Sequence, residues 1–236
     1  MFGNRPRALR NAGSAPPGSL KQVAVGRSGR RLLSSTGYWC LGVLRADADE
    51  AYLHSVRAEL RRLAADAEID TCYRDWVGTF NDVIPAQAHL PDTPAMNLDR
   101  LGHIAVVGDC VFVNIGGALG DDSALARVAG LRRGSPVAGL LHALGPDRAR
   151  SLPGVVGNTL ASAAEVARCA DGWRAACTLA PDERAVALDR LDQWWGDAGD
   201  GGRGGREPMA VLNMIPEIID IALVRRSGLI ALAATF

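Results

Sequence analysis

"HIAVVGDCVFVNIGGALGDD", residues 103–122, is the stretch whose reading decides the fold. Two apolar runs meet at Gly108-Asp109, and a leading glycine suits a type II′ turn, so the pattern predicts a β-hairpin. A glycine turn at 116–120 then leads into "DDSALARVAGLRRG" (121–134), which reads as a short helix capped by Asp121 or Asp122 and closed at Gly134.

A strand, a glycine turn and a helix in that order raise the question of a bound phosphate. Gly117 and Gly120 match the last two glycines of a dinucleotide-binding fingerprint, but Ile115 stands where the first belongs. The lysine that a Walker loop requires is missing. Two carboxylates at the helix start would oppose an anion by roughly 0.3–2 kcal/mol. The stretch therefore reads as a hairpin and a connection, and no cofactor is expected.

Outward from this centre, "GYWCLGVL" (37–44) is a buried strand by its Tyr, Trp and Val content. Leu53, Val56, Leu60, Leu63 and Ala67 follow at alternating intervals of three and four, which predicts a helix capped by Asp47 or Asp49. Pro85, Pro91 and Pro94 predict that residues 71–97 are largely loop. "SPVAGLLHALG" (135–145), an Ala-rich segment from Asn158 or Thr159 to Leu179, and "APDERAVALDRLDQWW" (180–195) read as helices. "EIIDIALVRRSGLIALAATF" (217–236) reads as a second hairpin about its polar centre. The sum is an α+β fold, with a mostly antiparallel sheet built from hairpins and several Ala-rich helices packed on it.

Charge is placed unevenly along a chain whose formal net charge is zero. Residues 1–46 hold eight basic side chains and no acidic one; the remainder holds 18 basic and 26 acidic. The segment 1–36, rich in Gly, Pro, Ser and Arg, reads as a basic arm preceding a single α+β domain at 37–236, with a Gly-rich loop at 196–206. Three roles fit the arm: an organelle transit peptide, a phosphate-neutralising arm on nucleic acid, or an arm reaching across a neighbouring subunit. Its candidate contacts are Arg5, Arg7, Arg10, Lys21, Arg27, Arg30 and Arg31. Trp194 and Trp195, next to the Gly-rich loop, are candidate anchors for a partner surface, with packing in the core as the competing reading.

Catalytic and metal constellations are weak. The four histidines, His54, His89, His103 and His142, lie far apart, and Cys169 and Cys177 are spaced too widely to share one zinc. His103 is the histidine to inspect first for a Cys–His pair, against the plainer reading of a strand-end histidine bonded to backbone or water. Cys40 and Cys110 sit in apolar settings typical of packing cysteines. Five cysteines without a C-x-x-C pair point to a reducing intracellular compartment, mitochondrial if residues 1–36 are a transit peptide. "VLNMIPEIIDIALV" (211–224) carries Pro216, Glu217 and Asp220, so no membrane span is expected.

The functional expectation is a structural or accessory subunit of a larger assembly rather than an enzyme. It binds other protein subunits, and nucleic acid is a further candidate partner through residues 1–45. The alternative expectation is an enzyme or small-molecule binder with a site between the glycine turn at 116–120 and the loops at 71–97.

Overall fold

Four antiparallel strands, in the order β2-β1-β4-β3, form the sheet that organises the chain. The computed structural model describes residues 36–80, 94–119, 123–132, 134–197 and 208–236. All of them lie within one compact unit, residues 33–236. Strand β1 (Thr36–Val43) is central, pairing Cys40 with Val128 of β2 (Ala126–Arg132) and with Leu232 of β4 (Leu229–Thr235). Strand β3 (Thr159–Ala161) completes the sheet beside β4. This is the expected α+β class with an antiparallel sheet.

The connections differ from expectation, because no strand pair among the described residues is joined by a hairpin. Residues 103–119 hold helices in place of the expected strands: α3 (Pro94–Ile104) ends there, and after an extended link at 105–108 come the short α4 (Asp109–Val113) and α5 (Ile115–Ala118). Gly108 does not make a turn; its extended backbone, φ −61° and ψ 145°, is the cap of α4. The expected helix at 121–134 is instead a 3-10 turn (Ser123–Leu125) followed by β2. Ala129 and Leu131 of that strand point into the core and are fully buried, whereas Val128, which precedes them on the opposite face, is 47% exposed. The C-terminal hairpin is also corrected, to helix α10 (Pro208–Arg225) followed by β4. Ile215, Ile218, Ile219 and Ala222 are buried on one face of α10, a helical spacing that Pro216 does not interrupt.

The long first helix divides in two. Helix α1 (Glu50–Ala64) is capped by Asp49, which accepts from the Ala51 amide at 2.9 Å. Asp66 then caps α2 (Ala67–Thr79), so residues 71–79 are helix rather than loop. Leu53, Val56 and Leu63 are the buried stripe of α1, each stabilising by about 1.5–3 kcal/mol on burial. Helix α6 (Pro136–Leu144) follows expectation, with Ser135 as cap, Pro136 in the first turn and Gly145 at φ 77° closing it. The Ala-rich segment begins one element later than expected. Asn158 and Thr159 belong to β3 and its approach, and a capping box between Ser162 and Glu165 opens α8 (Ala163–Cys177). Helix α9 (Pro181–Asp197) follows.

Trp39 and Leu41 of β1 converge with Ile215, Ile218 and Ile219 of α10 on the inner side of the sheet. The opposite face carries Tyr38 and Cys40 and is partly covered by α1 and α4, which are tied together by a 2.9 Å hydrogen bond from the Tyr52 hydroxyl to the Val111 carbonyl. The arm residues Arg5, Arg7, Arg10, Lys21, Arg27, Arg30 and Arg31 lie outside the described residues, as do 81–93, 120–122 and 198–207.

Candidate functional site

Two features of the surface gather chemistry. The first is the outer sheet face at β2. Tyr38 lies across Gly130, where an added Cβ would come within 3.2 Å of the ring. The Tyr38 ring meets Phe236 edge-on at 5.8 Å between centroids, and Phe236 meets Phe112 of α4 at the same distance. Phe236 is 49% exposed and Val113 is 65% exposed. An apolar row thus runs from Val128 through Tyr38 and Phe236 to α4. Among the described residues β2 has a strand neighbour on one side only, so the row starts from an edge strand of the described sheet. Arg127 is fixed on the inner side by Glu217 of α10 at 2.8 Å.

The second feature is a cleft of about 340 Å³ bounded by the end of α1, by α2, by the end of α7 (Pro146–Ala149), and by the loop 152–157. Val155 and Asn158 exchange backbone hydrogen bonds at 2.8 and 2.9 Å. The two residues between them, Val156 and Gly157, have φ of 48° and 74°. Positive φ at both central positions defines a type I′ turn. For a β-branched residue such as Val156 this conformation costs on the order of 1–3 kcal/mol.

Side chains hold that strain in place. Asn158 is fully buried; its amide donates to the carbonyls of Ala105, Val155 and Val156, and its carbonyl accepts from the Ala233 amide at 2.7 Å. The Trp39 indole donates to the Gly157 carbonyl at 3.0 Å. A side chain at Gly157 would collide with Val137 at 2.7 Å. One wall of the cleft therefore hangs on the sheet and on Ala105, just past the end of α3.

Facing it, Tyr73 of α2 carries a buried hydroxyl whose proton meets no acceptor within hydrogen-bond distance. Burial raises the Tyr73 pKa, while the Arg150 guanidinium is near enough to oppose that rise. Arg150 lines the mouth. The two acidic lining residues are engaged: Asp66 caps α2, and Asp70 pairs with Arg74 at 2.8 Å.

The residues singled out by sequence take other places. Trp194 and Trp195 on α9 are half-buried against α6, where a Cβ on Gly139 would lie within 2.8 Å of both rings. The Trp194 ring also tilts over His142 at 5.7 Å. His103 ends α3 rather than preceding a strand, with Asp99 at 3.6 Å raising its pKa through a hydrogen bond. Burial pushes the Cys40 thiol up to about 11 and the Cys177 thiol up to about 12, which makes both poor nucleophiles. Among the described residues no three His, Cys, Asp or Glu side chains cluster as a metal site, and no helix is long and apolar enough to cross a membrane. The glycine turn at 116–120 is α5 as far as it is described, and the cleft takes α2 but none of residues 116–119 as a wall. Tyr73, Arg150 and the loop were beyond a motif-based reading; Pro153-Gly154 and Gly157 were the available turn signals.

Comparison with protein-family models, with curated proteins and with solved structures finds no match to this chain.

Proposed function

We propose that this protein is an accessory subunit of a larger assembly, and that a partner protein docks by adding a strand to the open edge of β2. The observation that carries the reading is the exposed Val128 on that edge strand, from which an apolar row crosses the same sheet face through the half-buried Tyr38 to the exposed Phe236. Main-chain groups of an edge strand supply affinity to an extended segment, and an apolar row alongside supplies selectivity. Exposed apolar surface of this kind marks interaction sites. The basic residues of 1–45 are the second contact, toward a neighbouring subunit or nucleic acid, and their separation from the acidic remainder supports that division of labour.

The test is the native mass of the full chain isolated with its partners, beside the variant Val128→Lys. Val128 is half exposed and packs little, so the variant folds, while a lysine on the outer face blocks strand addition. A large species that V128K reduces to the free chain is expected. A free chain in both preparations, or a large species indifferent to V128K, overturns the reading.

A further inference from the structure

We infer that the cleft between α2 and the loop 152–157 binds a small organic carboxylate with an apolar tail, its head group taken by Arg150 and Tyr73. The volume, about 340 Å³, lies at the lower end of the range of small-molecule sites. Leu63, Ile69, Leu141 and Leu152 supply apolar lining. The polar groups are few and differ in availability. Asp66 and Asp70 are committed to a helix cap and to Arg74. The buried Tyr73 hydroxyl lies beside Arg150 at the mouth, whose guanidinium can only donate to the phenolic oxygen and so leaves the Tyr73 proton free to donate.

A guanidinium beside a phenolic donor matches a carboxylate, which accepts from both at once. It does not match an alcohol or an ammonium of the same length. The opposite wall is the strained turn at Val156-Gly157, held rigid by Asn158 and Trp39. Strain kept at a cleft wall by four side-chain hydrogen bonds from one buried Asn is a pre-organised surface rather than an accident of packing. The ligand's tail lies along that wall and its head reaches toward α2. This site is separate from the β2 edge, so it stands or falls independently of the assembly reading.

Titration calorimetry of the full chain with butanoate, hexanoate and octanoate, beside octanol, octylammonium and inorganic phosphate, tests the inference. Amide chemical shifts of residues 154–157 report where each probe sits. The expectation is that affinity rises with carboxylate length, that octanol and octylammonium bind at least about tenfold more weakly than octanoate, and that phosphate alone binds negligibly. That factor is the scale of one charge-assisted hydrogen bond. Arg150→Gln, at an exposed position, is expected to erase the preference for octanoate over octanol. Tyr73→Phe keeps the edge-on ring contact with Trp76 at 5.4 Å and is expected to weaken octanoate severalfold. Binding of none of the carboxylates, equal binding of octanoate and octanol, phosphate binding as tightly as octanoate, or an unchanged preference in R150Q each overturns it.

Discussion

His142 stands among rings, between Phe80 at 6.0 Å and Trp194 at 5.7 Å, and its Nδ1 is buried without a hydrogen-bond partner. Burial, helped by the nearby Arg190 charge, lowers its pKa to about 4. The folded chain thus holds the neutral imidazole, whereas the unfolded chain takes up a proton near pH 6.5. Stability from this residue is complete above pH 6.5 and falls as pH drops toward 4, by about 3 kcal/mol. Urea unfolding at pH 7 and pH 4 measures it. His142→Phe, which keeps a ring between Phe80 and Trp194, is expected to lose about 3 kcal/mol less than the native chain over that interval. Equal losses in the two proteins would show that His142 titrates normally. Nothing in the sequence around His142 disclosed this setting, because Phe80 and Trp194 reach it from helices remote in the chain. The same holds for Tyr73 and Arg150, which are brought together by α2 and α7. The turn at Val156-Gly157 was hidden for another reason: a valine is the wrong residue for a left-handed position, and the bonds from Asn158 and Trp39 make it tenable.

Among the helices, the contact between α6 and α9 turns on one missing side chain. Gly139 lies mid-helix in α6, where alanine would ordinarily gain about 1 kcal/mol in helix propensity. Here the added Cβ would meet the Trp195 ring at 2.7 Å and the Trp194 ring at 2.8 Å. Forcing two half-buried indoles apart costs about 1–3 kcal/mol, so the clash outweighs the propensity. Gly139→Ala is expected to destabilise by about 1 kcal/mol net, with a shift in tryptophan emission as α9 moves outward. A stabilised G139A with unchanged emission would mean that α9 yields freely. Elements were legible where local caps and packing agreed, as with Ser135, Pro136 and Gly145 around α6. They were misread where tertiary partners overrode propensity. Val111, Phe112 and Val113 favour a strand, yet α4 forms because Phe112 has Phe236 to pack on and Val111 receives the Tyr52 hydroxyl. Ala126 to Arg132 favours a helix by composition, yet it completes the sheet because Ala129 and Leu131 alternate with the outward Val128 and Gly130.

Over the whole chain, the uneven charge is expected to govern association with a polyanion more than the net charge does. A formally neutral protein should ignore a polyanion if charge were spread evenly, but seven of the basic residues precede residue 32 with no acid among them. Seven like charges in one short segment neutralise phosphates by counterion release, an attraction that salt screens. The full chain is therefore expected to be retained on a polyphosphate surface at about 0.05 M salt and released by about 0.3 M, with a salt slope no steeper than about five in logarithmic terms. Replacing Arg5, Arg7, Arg10, Lys21, Arg27, Arg30 and Arg31 by Gln takes the formal charge from zero to −7. That variant is expected to pass through unretained at every salt concentration, with its urea midpoint unchanged. If it is retained as the native chain is, the positive surface belongs to the body, and Arg45, Arg57, Arg61 and their neighbours become the residues to replace. Loss of retention would instead fix residues 1–31 as the polyanion-binding element.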